Sequence, residues 1–230
     1  MISESRLPGV PGLVSLQGVT TVNQKRAPGR EARKDDKRAR LREAAWDLFT
    51  TAGYDQTTTK AIAERAGVAS GTLFLYARDK AELLFLVFHE RLAAAVDEGL
   101  RTLPAGAPLL DQLLHLYAGF FRVYAVAPEV ARAFIRELPG AEGPNAQVVH
   151  QLTMSLITHI SGLIQRAQAN GELAADVPPM LLAQNTFALY FAAVLAWLSR
   201  MTTLAGALDP LLRSSLALQL RGLGPRRGPT

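Results

Sequence analysis

The 230-residue chain contains no cysteine, which excludes disulfides, thiol redox sensing and cysteine-ligated metal. No uninterrupted apolar run approaches the ~20 residues that span a bilayer, so no membrane partner is expected. The first residues hold no basic stretch leading into an apolar core, so no secretory signal is expected either, and a cytoplasmic location follows by elimination. No segment alternates with the period of a strand. The usual enzyme signatures are also missing: there is no glycine-rich phosphate loop, no G-x-S-x-G, no H-E-x-x-H and no cysteine nucleophile. The four histidines, His89, His115, His150 and His159, show no close metal-ligand pairing. These absences predict a protein that is no enzyme and carries no metal or cofactor.

What the chain does have is apolar helix formers. Hydrophobic residues make up 49% of it, with Ala and Leu dominant, enough for a helical fold with a sizeable core. Its length suits a small domain joined to a larger one. The charge is unevenly placed. Residues 25–80 carry 13 Lys/Arg against 8 Asp/Glu, a net of +5, whereas residues 81–220 carry 8 against 11, a net of −3. A basic N-terminal third on a mildly acidic remainder fits one polyanion-binding unit and one unit with another task.

Residues 1–33 are rich in Pro and Gly, have few periodic apolar positions and end in basic residues; they are expected to be a disordered basic arm, with residues 223–230 a disordered tail. Between them, helical periodicity predicts about nine helices. The first spans about 36–51 and ends at Gly53, followed by helices over about 59–66 and 70–76. Asp79 and Glu82 form a capping-box pattern that opens a long fourth helix reaching about residue 103. Later segments cover about 109–126, 128–138, 145–170, 179–201 and 207–220. The predicted class is all-α, with a three-helix unit at 34–80 and a larger helical unit at 81–222.

The stretch TTTKAIAERAGVASGTLFLYARDK, Thr57 to Lys80, has the spacing of a DNA-binding helix-turn-helix. Ile62 and Ala66 form the apolar face of its first helix. Ala63 is small enough for a close crossing, and Gly67 reverses the chain at no steric cost. Val68 and Leu73 supply the apolar face of the second helix. Around it, the pieces A-A-W-D-L-F-T-T-A-G-Y, T-T-T-K-A-I-A-E-R-A-G-V, G-T-L-F-L-Y and K-A-E-L-L stand in the order and spacing of the TetR/AcrR family of bacterial transcriptional regulators, which the run from about Ala45 to Leu84 resembles. The remainder is similar to that family only in length and helical pattern.

This resemblance implies a homodimer that binds a palindromic operator in double-stranded DNA and is released by a small-molecule effector; a repressor is the favoured reading. The alternative is a ligand-binding or scaffold protein with weakened or lost DNA binding. DNA contacts are expected from Thr58, Thr59 and Lys60 at the start of the second helix, from Ala69, Ser70, Gly71, Thr72, Phe74, Leu75 and Tyr76 on the recognition helix, and from Lys80, at the family's phosphate-contacting lysine position. Three residues depart from the family pattern: Ala69 replaces serine, Phe74 tyrosine and Ala77 phenylalanine. The recognition helix offers no outward Arg, Lys, Asn or Gln, so specificity is expected to lean on methyl contacts, backbone positioning and DNA shape.

The second unit carries an aromatic stripe that suits a core and, in a family that holds ligands between helices, a cavity for a largely apolar effector. The expected lining is Phe88, Leu92, Tyr117, Phe121, Tyr124, His150, Met154, Phe187 and Tyr190. The apolar helix over 179–201, with its small residues Ala188, Ala192, Ala193 and Ala196, and the leucine-rich segment after it are expected to form the dimer seam.

Overall fold

The protein is described here by a computed structural model covering residues 29–222; residues 1–28, with most of the expected arm, and the expected tail 223–230 lie outside the described residues. Among the described residues all regular structure is helical. The order is α1 Arg30–Thr51, α2 Thr59–Arg65, α3 Ser70–Leu73, α4 Lys80–Arg101, α5 Leu109–Ala125, α6 Pro128–Glu137, α7 Pro144–Ala169 and α8 Pro179–Leu198. The C-terminal stretch is broken into α9 Leu204–Gly206, a wide-turn segment Ala207–Leu212 and α10 Arg213–Gly222.

Several boundaries differ from expectation: α3 and α8 each end three residues short, at Leu73 and Leu198. Helix α1 starts six residues early: Arg30 to Arg33, expected in the arm, are helical. The expected helix over 207–220 is interrupted at Asp209, whose backbone is extended (φ −141°, ψ 119°), immediately before Pro210. Proline has no N–H to donate and crowds the preceding turn, so a continuous helix cannot run through it.

Helix α2 is capped by Thr58, whose hydroxyl accepts from the Ala61 N–H at 3.1 Å. Helix α4 is capped by Asp79, which accepts from the Glu82 N–H at 2.8 Å. Only half of the expected capping box forms, because the Glu82 carboxylate turns away to another helix. In α4 every residue from Glu82 to Phe88 is buried. Seven consecutive buried positions exceed one helical face, so α4 must be enclosed on all sides; it packs against α1, α5, α6 and α7. Its lower half belongs to the N-terminal unit and its upper half to the larger one.

The turn between α2 and α3 depends on Gly67. Its φ is +62°, and the Val68 N–H returns to the Ala63 carbonyl at 3.0 Å, closing the end of α2. The Arg40 guanidinium of α1 donates to the carbonyls of Ala66 and Gly67, and a Cβ on Gly67 would lie 2.7 Å from its Nη2. Gly67→Ala should therefore cost about 1–3 kcal/mol, read as a lower urea midpoint with an unchanged slope.

Candidate nucleic-acid interface and effector cavity

Helices α1 to α3 set one surface outward. On α3 only Leu73 is buried. Ala69, Ser70 and Gly71 are exposed and Thr72 and Tyr76 half-buried, while Phe74 and Leu75 are 54% and 81% exposed. Two large apolar side chains held in water by a short helix are costly unless something covers them, and thymine methyls are suitable partners. After Leu73 the coil tightens: Tyr76 N–H bonds the Leu73 carbonyl at 2.8 Å, carrying the expected recognition surface to Tyr76. Thr58 and Lys60 are exposed beside it and Thr59 is half-buried.

Lys80 is more committed than its sequence position implies. Its ammonium donates to the carbonyls of Tyr54 and Asp55 at 2.8 and 3.3 Å and sits 4.4 Å from the centre of the Tyr54 ring. It ties the α1–α2 loop to the start of α4 and keeps one N–H for a phosphate. Arg33, Lys34 and Lys37 on the first turns of α1 border a groove with Leu75 and Tyr76, extending the basic surface beyond the recognition helix. Of these, only Arg33 falls in the expected arm; Lys34 and Lys37 belong to the expected 34–80 unit but are not among its expected DNA contacts.

The larger unit holds a half-open cavity of about 60 Å³ between five helices. Leu92 and Val96 of α4, Phe120 and Tyr124 of α5, Phe134 of α6 with Leu138 after it, Val149, Leu152, Thr153 and Leu156 of α7, and Phe187, Tyr190 and Phe191 of α8 line it. None of these is charged. Burial raises the Tyr124 hydroxyl to a pKa of about 12 and, together with the neighbouring tyrosines, raises that of Tyr190 well above the ordinary value, so both are neutral donors at any physiological pH. They hydrogen-bond one another. Tyr117 lies behind them, stacked on Tyr190 at 4.7 Å and bonded to the Thr186 hydroxyl at 2.9 Å.

Of the expected lining, Leu92, Tyr124, Phe187 and Tyr190 meet at the cavity. Phe88 is instead stacked on Phe134 at 4.3 Å in the core, and Phe121 packs between Tyr190 and Trp197. Tyr117 is displaced one layer back. His150 and Met154 point to solvent; the face of α7 that turns inward is one residue earlier, at Val149 and Thr153. The run Val149, Leu152, Thr153, Leu156 follows helical spacing and was available as a signal.

Helix α8 is, among the described residues, the one helix long and apolar enough to cross a membrane by length and composition. Its buried side packs on α7. Its other side leaves Leu181, Gln184, Asn185, Ala188, Ala192 and Leu195 exposed in one stripe, apolar except at the two amides.

Residues 41–87 match the family model described as bacterial regulatory proteins, tetR family. The N-terminal unit is that of the tetR family. Among characterised relatives, the HTH-type transcriptional repressor KstR of Mycobacterium tuberculosis is 29% identical over 192 residues, 84% of this chain and 83% of that one. The fatty acid metabolism regulator protein of Bacillus subtilis is 23% identical over 164 residues, 71% of this chain and 84% of that one. Among solved structures, Thermus thermophilus FadR, a TetR-family transcriptional repressor in complex with lauroyl-CoA, is 26% identical with a TM-score of 0.67, covering 84% of this chain and 98% of that one.

Within the tetR family pattern the loss of a hydroxyl at Phe74 is testable. Phe74→Tyr should restore a phosphate hydrogen bond and tighten operator binding by about 1 kcal/mol, seen as a roughly fivefold lower Kd by fluorescence anisotropy. A clear loss of affinity would mean that the phenyl ring packs on the DNA and that Tyr76 provides the hydroxyl.

Proposed function

We propose that this protein is a homodimeric transcriptional repressor that holds a palindromic operator and lets it go when an effector with a long apolar chain, of the fatty acyl thioester class, enters the cavity between α4 and α8. The observation that carries the DNA half is the outward display of Phe74 and Leu75 on a recognition helix fixed from behind by Arg40 and Gly67. A protein acting on an operator works in the cytoplasm. The exposed stripe of α8 supports the dimer: two such faces bury each other and bring two α3 helices within reach of successive major grooves, about 34–36 Å apart.

The effector half rests on the cavity and on the relatives. An uncharged, aromatic lining suits an acyl chain and offers no site for phosphates, so the coenzyme portion would stay at the mouth. The lauroyl-CoA bound to the Thermus relative supports the same class. At about 60 Å³ the cavity lies far below the ~300–1,000 Å³ of sites that enclose such ligands. Binding must therefore move the helices that line it, and three of those, α4, α6 and α7, also touch the N-terminal unit.

A duplex selected from a random-sequence library by the full-length protein provides the test. Anisotropy should give an affinity for it at least ~10³-fold above that for unrelated duplex, with log affinity falling steeply against log salt. Lys80→Ala should flatten that slope by about one. Equal, weak binding to every duplex would leave the ligand-binding or scaffold alternative in its place.

A further inference from the structure

Glu82 is a carboxylate 1% exposed, lying between the two units, and DNA contact and effector lining make no use of it. It accepts from the Asn145 and Ala146 backbone N–H groups at 3.1 Å each and from the Asn145 side-chain amide at 3.1 Å. These are the free donors that begin α7, so a residue of the N-terminal unit caps a helix of the effector unit. Gly143 admits it: its φ is +107°, and a Cβ there would stand 2.7 Å from the carboxylate.

Asn145 completes the joint. Its amide also donates to the Tyr76 carbonyl at 2.9 Å, at the end of the recognition segment. Its side-chain oxygen accepts from Arg38 of α1 at 3.3 Å. One side chain thus bonds α1, the end of the recognition segment and Glu82 in the first turn of α4, while the cavity-lining Val149 lies one turn further along the same helix.

We infer that Asn145, seated by Glu82, is a positioning residue that couples the recognition helix to the first turns of α7, so that a shift of α7 at the cavity is delivered to Tyr76 directly rather than only through a tilt of α4. The inference rests on the operator-binding reading proposed above. Reciprocity of linkage allows a test with DNA alone: if α7 moves the recognition helix, operator binding must steady α7.

Hydrogen exchange of the full-length protein, with and without the library-selected duplex, should show DNA slowing amides within 147–156 as well as those of α2 and α3. In Asn145→Ala the slowing in α2 and α3 persists, that in 147–156 falls below half, and the operator Kd rises at least fivefold. Wild-type protein protected at α2 and α3 but not at 147–156 overturns the joint, even if the variant fails to fold. So does a folded variant that keeps both protections. Protection nowhere fails the operator-binding reading itself, and the joint falls with it.

Discussion

Ala188→Arg should convert the dimer to a monomer and weaken operator binding by about 10²–10⁴-fold, the avidity that joining two half-site contacts provides. Ala188 is exposed in the middle of the open stripe of α8, between Asn185 and Ala192, so the substitution leaves the core untouched. Across a two-fold seam each arginine meets the same surface of its partner, and two charges are driven into an apolar contact without counter-ions. The expected pattern is a monomer by sedimentation velocity, an unchanged thermal midpoint of the subunit fold at low concentration, and near-loss of the specific complex. Leu212 on the neighbouring segment is a poor choice for this test, because it is 0% exposed and a charge there would unfold the chain.

Thr153→Trp should hold the protein on its operator. Thr153 lines the cavity on α7 and is half-buried, so an indole can turn inward without the strain of a fully enclosed site. With only about 60 Å³ to start from, the added ring removes the space that an acyl chain would open. Effector affinity should fall about 100-fold, roughly 2.7 kcal/mol, with operator affinity within twofold of wild type. Calorimetry with lauroyl-CoA and anisotropy with the selected duplex check the two halves separately. An unchanged calorimetric affinity would place the chain elsewhere.

The helix order was legible because apolar periodicity and capping residues agree along most of the chain: Thr58, Asp79 and Gly67 announce their turns locally. The start of α1 was not, since Arg30 to Arg40 offers no apolar stripe and its local support includes a pair such as Asp36–Arg40, 3.6 Å apart, which resembles ordinary surface charge. The break at Pro210 is legible in the proline itself, although a regular run of leucines around it masks the interruption. In the cavity, residue type was readable and orientation was not. On α5, Phe120 and Phe121 differ by about 100° of helix rotation, and only the crossing with α8 decides which one faces the space. The Glu82–Asn145 joint is the least legible feature: it spans 63 positions, and each residue alone reads as a surface or capping group.

One molecule in the cavity and one duplex on α3 should oppose each other. The direct measurement is a pair of titrations of the wild-type protein: the selected duplex with and without saturating lauroyl-CoA, and lauroyl-CoA with and without saturating duplex. Linkage requires both affinities to fall by the same factor, which is expected to lie at about 5–150-fold. Lauroyl-CoA that binds tightly and leaves the duplex affinity unchanged would contradict the account.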